Sequence, residues 1–139
     1  MKKSATFSAV PFALGVTLAA VAFAGPASAT ARVTVDEVVL TNKDNGRTVT
    51  VRSGDNVRVQ LTGTRTPGAV WAWSTPVTGD PWVVFPTGSV NSPDGSVTTD
   101  FRAKDPGTTT IDSYKRCIPD LGHLCAQVII PWKATVVVK

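Results

Sequence analysis

Four side chains late in the chain have types and spacing that suit chemistry: Cys117, Asp120, His123 and Cys125. Two thiols, a carboxylate and an imidazole are a donor set that zinc accepts, and a thiol beside an imidazole is the pairing of a cysteine nucleophile. Both uses need free thiols. The chain has two cysteines, and in an oxidising compartment an even count favours a disulfide between Cys117 and Cys125. The bond would close a ring over Ile118-Pro119-Asp120-Leu121-Gly122-His123-Leu124. So small a ring removes roughly 2.5 kcal/mol of chain entropy from the unfolded state. Its more local effect is to hold one protruding loop in shape, which either steadies a long turn or lowers the entropy cost of binding a partner.

Other catalytic arrangements are not supported. His123 is the only histidine, and no Gly-x-Ser-x-Gly elbow accompanies it. Glu37 is the only glutamate, and the aspartates fall mostly at turns, where Asp bonds its own backbone. No glycosidase pair follows. Asn42, Asp44 and Gly46 form a fragment of a calcium loop, but the remaining ligands are missing. The expectation is a protein that is not an enzyme and uses neither metal nor cofactor.

The N-terminus indicates the compartment. Met1-Lys2-Lys3 is a basic start, an apolar stretch runs from Phe7 to Ala24, and Ala27-Ser28-Ala29 is a small-x-small cleavage pattern. This is the composition of a secretory signal peptide, residues 1–29. Pro11 and Gly15 interrupt the apolar stretch, against a membrane anchor. Removal leaves residues 30–139, which is 139 − 29 = 110 residues, one domain by length. Of 14 Lys+Arg, two (Lys2 and Lys3) go with the leader, so the net charge becomes 12 − 10 = +2. The remaining cations are scattered, which excludes a nucleic-acid footprint. No second apolar run is long enough to span a bilayer. A secreted monomer is expected.

The elements that must position these residues are strands. Val33, Val35 and Glu37 alternate with Thr34, Asp36 and Val38, and Asp44-Asn45-Gly46 then predicts a two-residue hairpin turn into Thr48–Val51. After a turn at Ser53-Gly54-Asp55, Val57, Val59 and Leu61 alternate with polar residues. Thr62 to Gly68 is a loop by composition. Val70–Trp73 and Trp82–Phe85 read as short strands, and Pro86 to Gly95 as a long exposed loop. Val97–Ala103, Thr108–Lys115 and Gln127–Val138 complete the pattern, with a kink expected at Pro131. About eight short strands with turn signals every 8–12 residues indicate an all-β, immunoglobulin-like antiparallel β-sandwich. Trp71 and Trp73 share a face. Core filling is the common role for tryptophan in such a sandwich, and an exposed aromatic strip that stacks on sugar rings is the alternative for these, Trp82 and Trp132.

Three segments in order resemble the chagasin family of secreted inhibitors of papain-like cysteine proteases. Asn45–Val51 followed by Gly54–Leu61 is similar to that family's opening hairpin and second strand pair. Thr64-Arg65-Thr66-Pro67-Gly68-Ala69-Val70-Trp71 sits where the family has an Asn-Pro-Thr-Thr-Gly-aromatic-x-Trp loop. Gly68 and Trp71 keep their places, with Thr66 a third, while Pro67 replaces a threonine and Ala69 the aromatic. Gly107-Thr108 through Tyr114-Lys115-Arg116 resembles the strand before the family's Arg-Pro-Trp loop, with Cys117 following Arg116. The resemblance implies an immunoglobulin-like fold whose three loops at one end enter a protease cleft as a wedge without offering a cleavable bond. Here those loops would be Thr64, Arg65, Thr66, Pro67, Gly68 and Ala69; then Asn91, Ser92, Pro93, Asp94 and Gly95; then Arg116 with the cysteine ring. The partner would be a papain-like cysteine protease. The alternative is a non-catalytic extracellular or cell-surface domain on the same sandwich, binding protein or glycan.

Overall fold

The computed structural model describes residues 35–139. The expected leader, residues 1–29, lies outside the described residues, as do the first positions of the domain. The described chain is all-β: β1 (Glu37–Thr41), β2 (Thr48–Val51), β3 (Asn56–Leu61), β4 (Thr64–Thr66), β5 (Ala69–Trp73), β6 (Val77–Thr78), β7 (Val84–Asn91), β8 (Val97–Ala103), β9 (Gly107–Pro119) and β10 (Ile129–Val138). They form two sheets. One has the order β1-β3-β8-β7, the other β2-β10-β9-β5-β4, with β6 also paired to β9.

Alternation builds the core between the sheets. Val57, Val59 and Leu61 of β3 and Val97, Phe101 and Ala103 of β8 are buried from one side. Trp73 of β5, Ile111 of β9 and Trp132, Ala134, Val136 and Val138 of β10 join the same hydrophobic cluster from the other. Intervening residues face water, the period-two pattern of a sheet buried on one face. Trp73 and Trp132 are both core residues, and each indole N–H finds a carbonyl: Trp73 donates to Thr62 O at 3.0 Å and Trp132 to Thr41 O at 3.1 Å.

Asn45-Gly46 does not close a hairpin. β1 pairs in parallel with β3, and β2 in parallel with β10, so the chain changes sheets between them. Asn45 has φ −59° and ψ 126° and Gly46 φ 80°, and Arg47 N–H donates to Asp44 O at 3.0 Å. These are type II values, with positive φ at the second central residue alone. A two-residue hairpin turn needs it at both (type I′) or at the first (type II′), because those turns match the strand twist. The Asn45 side chain accepts from Lys133 N–H at 3.0 Å, and Gly46 N–H donates to Lys133 O at 2.7 Å.

The same contacts explain Pro131. Lys133 spends its N–H and C=O on the Asn45-Gly46 turn, away from β9. Period two gives Pro131 the same outward orientation, so its missing N–H removes no bond to β9. The β9–β10 register accordingly runs unbroken from Ile129↔Arg116 to Val138↔Gly107.

Two expected loops contain strands. Thr64–Thr66 pairs with β5 inside the Thr62–Gly68 segment. Pro86–Asn91 continues β7 along the sheet edge, with a register shift between Pro86 and Gly88. Only Val84 of β7 is buried, so no alternation marks this strand, and its proline is tolerated because an edge strand is paired on one side only. Trp82 and Val83 precede the strand that was expected to include them.

Candidate functional site

One end of the molecule gathers all three expected loops. β4 and β5 form a hairpin in which Thr66 pairs with Ala69 around Pro67-Gly68. Proline supplies a φ near −65° at the first turn position, and Gly68 takes φ 82° at the second, a conformation that side chains avoid.

The cysteine ring is built against this turn. β9 continues past the start of β10 to Pro119, which pairs with Ala69 of β5. Asp120 N–H donates to Gly68 O at 2.9 Å, and His123 N–H donates to Asp120 O at 2.9 Å. Arg65 Nη2 forms an ion pair with the Asp120 carboxylate at 2.9 Å. The His123 imidazole lies so close to Gly68 that a Cβ there would come within 2.6 Å of Nδ1. Gly68 therefore serves twice, in the turn and in the close approach. Cys117 and Cys125 are joined by a disulfide with Cα atoms 6.1 Å apart. The sulfurs are thus committed to each other, and neither is available as a thiolate nucleophile or metal ligand.

Of Asn91–Gly95, Asn91 ends β7 and Ser92–Gly95 form the turn towards β8. Ser92 N–H bonds Ser96 O, and Gly95 N–H bonds Ser92 O at 3.0 Å. Ser96 N–H donates to Asp94 Oδ1 at 2.9 Å, which holds the Asp94 carboxyl below its ordinary value. Gly95, at φ 87°, is seated on β5: a Cβ there would lie 2.6 Å from Trp71 O and 2.9 Å from Ala72 Cα. Gly95 O accepts from Trp73 N–H at 2.9 Å, and Gly63 N–H bonds Ser96 Oγ at 3.0 Å.

The three segments are joined but not level. The β7–β8 turn rests on β5 at Trp71-Ala72, whereas the hairpin tip is Gly68. At about 3.3 Å per residue the hairpin and ring project roughly 10 Å beyond that turn. Thr64, Arg65, Pro67, Asn91, Ser92, Pro93, Asp94 and Arg116 are exposed, Thr66 and Gly68 are half-buried, and Ala69 and Gly95 are buried supports. Thr64, Thr66, Trp71, Lys115 and Ile130 line a hollow of about 270 Å³ beneath the projection. Trp71, grouped with Trp73 from spacing, is half-buried there rather than fully in the core.

Sequence reasoning missed the apolar surface of the projection. Leu121 and Leu124, inside the ring, are fully exposed, and Ile118, Val128, Ile129 and Ile130 are exposed beside them. A signal was present: two leucines held in a nine-residue ring cannot reach the core, and Val128-Ile129-Ile130 lacks alternation. Contiguous exposed apolar surface of this kind marks interaction sites. Among the described residues no cluster of three or more His, Cys, Asp or Glu is placed to hold a metal.

These features define an all-β, two-sheet domain with one pre-shaped end. No protein-family model matches the chain, and no curated protein resembles it significantly. Solved structures do. The cysteine protease inhibitor EhICP2 from Entamoeba histolytica superposes with a TM-score of 0.55 at 18% identity, over 76% of this chain and 97% of that one. Amebosin superposes with a TM-score of 0.50 at 16% identity, over 76% of this chain and all of that one. The resemblance drawn from the three segments is met at the level of fold.

Proposed function

We propose that the protein is an exported inhibitor of papain-like cysteine proteases, on an immunoglobulin-like sandwich, that enters the active-site cleft with the end built from Thr64–Ala69, Asn91–Gly95 and the ring after Arg116. The observation that carries this reading is the locking of the Pro67-Gly68 turn and the disulfide ring into one body through Gly68, Asp120, Arg65 and His123. A body already in its bound shape loses little conformational freedom on docking. Burying Leu121 and Leu124 adds about 1.5–3 kcal/mol each. The fold shared with EhICP2 supports the same reading.

Inhibition follows from occupation of the cleft. The Asp120–His123 turn, with Gly122 at φ 79°, folds the ring back on itself, so a bound protease meets a bend rather than an extended peptide across its nucleophile. The test is titration of papain and of a cathepsin-L-like enzyme with the purified protein. Saturable, stoichiometric loss of activity with the chain left uncleaved is expected. Full activity at high micromolar protein would refute inhibition of these enzymes and favour a non-inhibitory binding domain.

A further inference from the structure

About 40 Å from the ring along the 13-residue β9, a second built feature occupies the opposite end. Its centre is Trp82, 74% exposed. The backbone beneath it is fixed. Trp82 N–H donates to Asp80 Oδ1 at 2.9 Å, Asp105 N–H donates to Trp82 O at 3.0 Å, and Lys104 N–H donates to Val83 O at 2.8 Å. Val83 and Val84 are buried. The indole is thus held in solvent by a rigid support and is not carried by a loose loop. Phe85, also exposed, lies close by with the Lys104 ammonium 4.4 Å from its ring centroid, and Arg102 pairs opposite Phe85 across the sheet. Pro81, Trp82, Phe85 and Lys104 line a hollow of about 190 Å³.

We infer that this hollow is a binding site for one acidic sugar ring, of the uronic-acid class, in a polysaccharide. Size decides against larger partners. A stable protein interface needs about 800 Å² per side, and three ring side chains supply a fraction of that. The hollow suits one six-membered ring. The face of an aromatic ring is its electron-rich side, and the C–H face of a pyranose presents weakly positive hydrogens to it. Lys104 is the one charged group lining the hollow, so a carboxylate on the ring is matched in charge where a neutral sugar offers only hydroxyls. Stacking on Trp82 with the carboxylate at Lys104 uses the most exposed aromatic ring and the one charged group of the lining. The site is independent of the inhibitory reading, and its distance from the ring leaves both ends free to bind together.

The test is isothermal titration calorimetry of the protein with trigalacturonate, against a neutral glucan trisaccharide and against anionic phospholipid vesicles. Saturable binding of trigalacturonate is expected, weakened about tenfold in Trp82→Ala by loss of stacking and about threefold in Lys104→Gln by loss of one exposed ion pair. Both positions are exposed, and unchanged thermal unfolding of the variants shows that the fold is intact. Absence of saturable binding, equal binding by Trp82→Ala, equal affinity for the neutral trisaccharide, or binding to vesicles in preference to the sugar would each overturn the inference.

Discussion

Replacing Gly95 with alanine tests whether the three loops form one body. Gly95 has φ 87°, and an added Cβ would meet Trp71 O at 2.6 Å, Ala72 Cα at 2.9 Å and Val70 Cγ1 at 2.9 Å. Two of these are backbone atoms of β5, which cannot move without shifting the strand. Gly46 is the control: its φ is 80°, but nothing lies within 4 Å of the added atom. Gly46→Ala therefore isolates the conformational penalty, about 1–2 kcal/mol. Gly95→Ala adds overpacking of about 1–3 kcal/mol, for a total of about 2–5 kcal/mol. Gly68→Ala, at φ 82° against the movable His123 side chain, falls near the control in stability but displaces the ring. The assay is equilibrium urea unfolding, reading midpoint at constant slope. Equal midpoints for Gly95→Ala and Gly46→Ala would refute the seating of the β7–β8 turn on β5, and with it the picture of a single rigid end.

Further expectations concern the projection and the acid response. Replacing Cys117 and Cys125 together with serine removes at most about 2.5 kcal/mol of stability, and weakens protease inhibition by a larger factor because the ring then loses its shape; inhibition constants and urea midpoints compare the two. Leu121→Ser with Leu124→Ser leaves thermal unfolding unchanged and weakens inhibition at least about tenfold, since each side chain is worth about 1.5–3 kcal/mol when buried; undiminished inhibition would remove the ring from the contact surface. Asp44 accepts Thr41 N–H at 2.7 Å, and that bond, with the Arg47 guanidinium beside it, holds its carboxyl below the ordinary value of 3.8. Its contribution to stability is complete above that value and is lost as pH falls through the lowered one. Asp44→Asn should flatten the acid limb of a stability–pH curve, and an unaltered limb would show that Asp44 does not contribute to it.

Most of the strands were legible because they alternate. β3, β8 and the second half of β10 bury every other residue, and that signal is local. β7 was hidden because an edge strand with one buried residue has no period to read. The Asn45-Gly46 turn was misread because the dipeptide serves two turn types, and the choice was made by Lys133, nearly ninety residues on. At the candidate site, the residue types of the three loops were visible, but the offset between them was not. That offset depends on how far β9 outruns β10. The exposed leucines were missed because apolar residues in a short loop look like core until the disulfide shows they cannot get there.

The pairing of β2 has a consequence for the order of assembly. β10 lies between β2 and β9, so β2 is cut off from the rest of the second sheet until β10 arrives. Chains emerge N-terminus first, from a ribosome or across a membrane, and β2 has no strand to join until Thr135–Val138 are out. Closing a contact over so long a stretch is slow. Until then Val49 and Val51 sit on a strand with no hydrogen-bonded neighbour. The chain must be kept soluble from β2 to β10 before this sheet can close, and a nascent form stopped before Thr135 would present an unsatisfied strand edge to its neighbours.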